Sequence, residues 1–175
     1  MERRLAAILA ADVVGYSRLM HQDEAGTLDR LKALRNDLVQ PMIRGHEGRV
    51  FKLMGDGLLA EFPSAVKAVE CGVEIQKALA KREHDKPEEG RIKLRIGVNL
   101  GDIIVEGSDV YGDGVNIASR LQEICNPDSV CISDATLQQV RGRILPKFED
   151  GGEVALKNIS EPVRVWRWLP HDDPA

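Results

Sequence analysis

The sequence predicts an α+β fold: a ferredoxin-like split βαβ core in the order β-α-β-β-α-β-α, followed by a C-terminal β-hairpin extension. Three observations lead there. Residues 5–14 are a nearly continuous apolar run, the pattern of a central strand buried on both faces. Two short strand-like runs, 49–54 and 58–62, flank Gly55-Asp56-Gly57, which reads as a hairpin turn. Ile92, Leu94, Ile96 and Val98 alternate with Lys93, Arg95 and Gly97, a period-two signal. A hairpin set inside an alternation of strands and helices is the mark of the split βαβ unit.

The remaining elements come in chain order. Residues 22–40 carry Leu28, Leu31, Leu34 and Leu38 at helical spacing, and Pro41, Gly45 and Gly48 punctuate the stretch after them. A second helix spans 64–81, with Val66, Val69, Val73 and Leu79 near one face and Ser64 as its cap. Residues 84–90 form a charged loop. Residues 103–105 extend the alternating strand, and 106–114 make a short polar link into a third helix, 115–125. A short strand at 130–132 precedes a short helix starting at Asp134. Segments 154–156 and 163–169 form a closing hairpin. Residues 1–169 thus read as one domain, and 170–175 as a polar tail or linker.

Composition narrows the function. The chain has 175 residues, 43% hydrophobic and 30% charged, enough to bury a core. Its 24 Lys and Arg against 28 Asp and Glu give a net charge of −4, and aromatics are 4%. That argues against nucleic acid as partner, since an RNA-binding sheet shows stacking aromatics on a basic face. No apolar run approaches the roughly 18 residues of a membrane span. Arg3-Arg4 followed by an apolar stretch is reminiscent of a secretory signal, but Asp12 closes it; a buried first strand fits better, and the location expected is cytoplasmic. Cys71, Cys125 and Cys131 lack C-x-x-C spacing, so they read as buried thiols. P-loop, Rossmann, zinc-hydrolase and G-x-S-x-G motifs are all missing.

Two aspartates at strand ends remain. Asp12 closes the apolar strand and Asp56 sits on the hairpin tip. If these strands are neighbours, both carboxylates meet at one end of the sheet, and two carboxylates plus phosphate oxygens suit Mg²⁺ or Mn²⁺. Read singly, Asp56 is also a turn residue and Asp12 a strand terminator. Asn116 and Arg120 share one face of the third helix, either as a solvated pair or as phosphate-facing groups.

Together these segments resemble the catalytic domain of class III nucleotidyl cyclases, the adenylate and guanylate cyclase homology domain. The resemblance covers residues 5–169 and rests on ILAADVVGYSRLM, VFKLMGDGLLAEF, LRIGVNLGDIIVEG and VYGDGVNIASRL. It implies a phosphorus–oxygen lyase that converts ATP to 3′,5′-cyclic AMP and pyrophosphate. It makes Asp12 and Asp56 metal ligands, with the Val13 carbonyl a further one, for two Mg²⁺ or Mn²⁺ per site. It matches Lys52 and Asp109 to the base-selecting pair, Asn116 to the ribose-orienting residue and Arg120 to the transition-state arginine. An Asp acceptor with a Lys donor complements the edge of adenine, whereas guanine presents a carbonyl there.

Backbone N–H groups at Gly15, Tyr16 and Ser17 are candidates for the triphosphate. Lys157 is another, or else a surface lysine. The family builds its sites between two subunits, so a homodimer with two composite sites is implied, and fused or partner regulatory domains are common in it. The segment between Val105 and the third helix is short for that family, where a longer arm helps dimerisation. A guanylate cyclase and a catalytically silent cyclase-like regulatory module stand as alternatives. A diguanylate cyclase does not, because its G-G-[DE]-E-F turn is absent.

Overall fold

An apolar run can serve a sheet centre only if both faces are covered, and the computed structural model, which describes residues 1–170, shows how this one is. Strand β1 (Glu2–Val13) turns Ala7, Leu9, Ala11 and Val13 to one layer and Ala6, Ile8 and Ala10 to the other. The first layer comprises α1 (Tyr16–Gln22), α2 (Glu24–Leu34), a π-helical segment (Arg35–Val39), α3 (Gln40–Gly45) and α4 (Ala65–Glu83). The second is α5 (Asp113–Ile124).

Strands β2 (Arg49–Met54) and β3 (Gly57–Phe62) form the expected hairpin, and β3 pairs antiparallel with β1. The long β4 (Leu94–Glu106) pairs antiparallel with the other edge of β1. The order β2-β3-β1-β4 is the ferredoxin-like core that the sequence predicts. Beyond it, α5 crosses to β6 (Val130–Ser133), parallel to β4, and the sheet continues through β8 (Val163–Trp168) to β7 (Glu149–Val154). Helix α6 (Asp134–Val140) follows β6. Ser64 caps α4, accepting from the Lys67 N–H at 3.3 Å.

Glycines set the height of α5 above the sheet. A Cβ on Gly97 would stand 2.5 Å from the Gln122 nitrogen and 2.6 Å from the Ala118 oxygen. A Cβ on Gly101 would stand 3.1 Å from the Gly114 Cα. The helix therefore rests on β4 backbone to backbone, with Ala118 and Leu121 fully buried and Asn116 left outward.

The helix expected over 22–40 is several. Asp23 is extended, with its side chain accepting from the Gly26 N–H, and so divides α1 from α2. The π segment then leads directly into α3, where Pro41 lies in the first turn and needs no donated hydrogen bond. The strand expected as 92–98 and 103–105 is continuous but starts at Leu94, leaving Ile92 buried ahead of it, and the polar link after it holds a short strand, β5 (Asp109–Tyr111), paired back onto β4. Helix α5 starts two residues earlier than expected. The closing hairpin begins at Glu149, and Leu156 is buried from the connecting loop rather than from a strand. Of the tail expected at 170–175, residues 171–175 lie outside the described residues.

All three cysteines are free and buried, and burial pushes the thiols of Cys71 and Cys125 up to about 12 and that of Cys131 to about 11. Among the described residues no helix is long and apolar enough to cross a membrane.

At the foot of α4, Glu83 is 4% exposed and accepts from Arg30 at 2.8 Å, the Ile92 N–H at 2.7 Å and Lys86 at 3.1 Å. Burial pushes its carboxyl up, but the Ile92 N–H, Lys86 and Arg30 together hold it below the ordinary glutamate value. Its stabilising effect is therefore complete above the ordinary glutamate range and is lost as pH falls through the lowered folded value. Glu83→Gln is expected to cost about 3 kcal/mol at pH 7, with a smaller deficit in acid, as measured by urea unfolding. Gly97→Ala is expected to cost about 3 kcal/mol in the same measurement, because neither colliding atom belongs to a movable side chain.

Candidate active site

The ends of β1 and the β2–β3 hairpin meet because of register. Asp12 lies opposite Gly57 on one side and Arg95 on the other. The Val13 N–H donates to the Asp56 carbonyl at 3.0 Å and to Asp12 Oδ1 at 3.1 Å, pinning the hairpin tip to the strand end. Gly57 makes the approach possible. A Cβ there would stand 2.6 Å from the Ala11 carbonyl oxygen and 3.0 Å from Asp12 Oδ1.

The two side chains thereby come within hydrogen-bonding reach. Burial pushes the Asp12 carboxyl up to about 7, helped by its hydrogen bond to Asp56 and by the charge of Asp56. The Val13 N–H and the Arg95 guanidinium act the other way. Two carboxylates this close repel unless a proton or a cation lies between them.

That donor set fits a divalent cation. Among the described residues no group of three or more His, Cys, Asp or Glu converges. A cation held here would take two protein carboxylates and complete its shell from carbonyl, water and phosphate oxygens, the pattern of Mg²⁺ and Mn²⁺ at phosphate sites. Val13 is placed beside the Asp12 carboxylate and the Asp56 backbone.

The other candidates lie elsewhere. Lys52 is exposed on β2, just past a bulge between Val50 and Lys52. Asp109 opens β5 opposite Glu106, exposed. Asn116 is exposed on α5, and Arg120, half-buried one turn on, donates to Glu123 at 2.8 Å. Among the described residues no hydrogen bond or ion pair joins any of these four to Asp12 or Asp56. Gly15 takes a left-handed conformation (φ 65°) and opens α1, with Tyr16 and Ser17 in its first turn and no side-chain cap. Lys157 is exposed in the loop between β7 and β8, not on a strand.

Two residues of this site escaped the sequence reading. Arg95 counted only as the polar half of an alternation; its place opposite Asp12 is a matter of register, and its Nε is fixed by the Cys125 carbonyl at 2.9 Å. Gly57 counted as part of a turn, whereas it opens β3 and clears space for Asp12.

A family model described as the adenylate and guanylate cyclase catalytic domain matches residues 3–167. The putative adenylate cyclase 3 of Rhizobium meliloti is 52% identical over 172 residues, which are 98% of this chain and 29% of that protein. The chain thus spans less than a third of that relative. A crystal structure of an adenylate/guanylate cyclase/hydrolase from Silicibacter pomeroyi superposes with a TM-score of 0.90 at 47% identity, covering 97% of this chain and 99% of that one. The adenylyl cyclase CyaB of P. aeruginosa shares the fold, with a TM-score of 0.83 at 22% identity over 97% and 96% of the two chains.

If the carboxylate pair is a point of stored repulsion, removing one charge relieves it. Asp56→Asn keeps the shape and gives Asp12 a donor. In metal-free buffer at pH 7 it is expected to raise stability by roughly 1 kcal/mol, read as a higher thermal midpoint. A lower midpoint would show that the pair is not strained.

Proposed function

The chain belongs to the adenylate and guanylate cyclase catalytic-domain family, and on that premise we propose that it is an adenylate cyclase, converting ATP to 3′,5′-cyclic AMP and pyrophosphate in a homodimer with two composite sites. Residues 1–169 are read as its catalytic domain. The observation that carries the reading is the meeting of Asp12 and Asp56 at one end of the sheet, inside hydrogen-bonding reach of one another. The 52% identity with a protein named as a putative adenylate cyclase supports ATP as substrate.

In this reading Asp12 and Asp56, with the Val13 carbonyl, hold two Mg²⁺ or Mn²⁺. When bound, the cations lower the pKa of the attacking hydroxyl and neutralise charge on the phosphate. The ribose 3′-oxygen forms a bond to the α-phosphorus, the bond to the bridging oxygen breaks, and pyrophosphate leaves. Asn116 holds the ribose so that attack is in line. Arg120 offers its guanidinium to the charge that develops on the phosphoryl oxygens. Lys52 and Asp109 address the adenine edge. The Gly15–Ser17 turn presents backbone N–H groups to the triphosphate, and Lys157 is a further cation for it. The 3′-hydroxyl proton has no side-chain acceptor assigned.

The separation of the candidates within one chain supports a shared site. Asp12 and Asp56 stand on one set of strand ends, whereas Asn116, Arg120 and Asp109 stand on α5 and β5 with no bond to them. One subunit then supplies the carboxylates, and its partner Lys52, Asp109, Asn116 and Arg120.

Purified protein with ATP and Mn²⁺ or Mg²⁺ is expected to form cyclic AMP. Asp12→Ala and Arg120→Ala are each expected to lose about a hundredfold or more in kcat. Mixing the two variants is expected to restore activity, because one of the two sites in the heterodimer is intact. Heterodimers that form without rescue would refute the shared site. Cyclic GMP as main product would overturn the base assignment.

A further inference from the structure

We infer that the cavity behind the β2–β3 hairpin tip is a binding site for a small aliphatic monocarboxylate, whose alkyl group fills the cavity and whose carboxylate meets Arg35. The cavity, of about 60 Å³, lies between the helical layer and the sheet. Leu31, Leu34 and Val39 line it on the helical side, and Val13, Leu58 and Leu94 on the sheet side. All six belong to the core cluster between these layers or pack against it. Close-packed interiors leave few voids larger than a water molecule, and a void walled by aliphatic side chains stays dry. At roughly 15 Å³ for each water-sized group, this one takes about four carbon atoms.

Charge sets the head group of the ligand. The charged residues in the wall are Arg35 and Asp56. Asp56 is engaged with Asp12. Arg35 opens the π-helical segment and is half-buried, and among the described residues its guanidinium has no hydrogen bond, ion pair or ring contact. The acid of its own segment, Asp37, faces Arg82 at 3.9 Å instead. Arg30, on the preceding helix, is by contrast held by Glu83 at 2.8 Å and the Gly90 carbonyl at 2.7 Å. A guanidinium that loses part of its water to an apolar cavity and gains no partner is costly to keep. A carboxylate matches its planar fork with two parallel hydrogen bonds. An ammonium group would be repelled there. A phosphate would bring up to two negative charges beside Asp56, where a carboxylate brings one.

The cavity also touches the residues that carry the chemistry. Gly55, Asp56 and Gly57, the hairpin tip, form part of its wall. That tip is tied to the end of β1 by the Val13 N–H and the Asp56 carbonyl at 3.0 Å. An occupant packed at once against the tip and the helical wall steadies the tip where Asp56 faces Asp12. Resting on the reading of that pair as cation ligands, occupancy raises the affinity for Mn²⁺, and Mn²⁺ raises the affinity for the carboxylate by the same factor.

The test titrates 4-methylpentanoate and its neutral counterpart, 4-methylpentanamide, into metal-free protein, followed by calorimetry and methyl NMR. The acid is expected to bind about tenfold more tightly than the amide, with shifts confined to the methyls of Leu31, Leu34, Val39 and Leu58. Arg35→Gln is expected to remove that difference and leave amide binding unchanged. Leu31→Phe, which fills the cavity, is expected to bind neither. No binding to the wild type, shifts in other methyls, or an undiminished preference for the acid in Arg35→Gln would overturn the site. So would wild-type affinity in Leu31→Phe with its thermal midpoint retained. In a second titration Mn²⁺ is expected to bind about fivefold more tightly with the acid present. Carboxylate binding without that gain would overturn the coupling alone. Wild-type protein that takes up the carboxylate but no Mn²⁺ at the pair would refute the reading of Asp12 and Asp56 and uphold the cavity as a site.

Discussion

Two carboxylates are forced together at one end of the sheet, and the rest of the site is organised around that repulsion. The Val13 N–H clamps the hairpin tip to the end of β1, and the absence of a side chain at Gly57 lets the strands close. Asp12 is half-buried there, so its charge is costly to carry without a counter-ion. Arg95 supplies part of one from the opposite strand. A pair that relaxes only on taking up a proton or a cation is one in which stability has been given up.

The second organising constraint is how closely α5 lies on β4. Gly97, Gly101 and Gly114 permit contact at backbone distance, and Ala6 and Ala10 keep β1 low beneath the helix. With its inner face spent on that contact, α5 turns Asn116 outward, and Arg120 remains half-exposed beside Glu123. Neither is bonded to the carboxylate pair of its own chain. The dimeric reading rests on that division of labour.

Much of this was legible in the residues. The unbroken apolar run at 5–14 required two covered faces, and Asp12 and Asp56 were each legible at a strand end; that the two meet was conditional on β1 neighbouring the hairpin, which the pairing of β1 with β3 supplies. Ser64 announced the start of α4. The features that escaped depend on contacts between distant segments. Arg95 gains its place only from a register of β1 and β4 that no local pattern encodes. Gly97 counted only as one half of an alternation, although a glycine pair four apart in a strand beneath a helix, Gly97 and Gly101, can be sought as a close-approach signal. The break at Asp23 and the π segment were hidden because leucine spacing reports a mean helical period, not where a helix pauses. β5 sat in a polar link of exposed residues, where side-chain pattern carries no strand signal.

The central claim is that Asp12 and Asp56 jointly hold the cations. The most direct measurement is a crystal structure with Mn²⁺ and 3′-deoxy-ATP, with manganese located by anomalous scattering. The account predicts two manganese peaks bridged by the oxygens of both aspartates, with the partner subunit's Arg120 turned toward the α-phosphate. Manganese bound away from the pair, or held by only one of the two carboxylates, would contradict it.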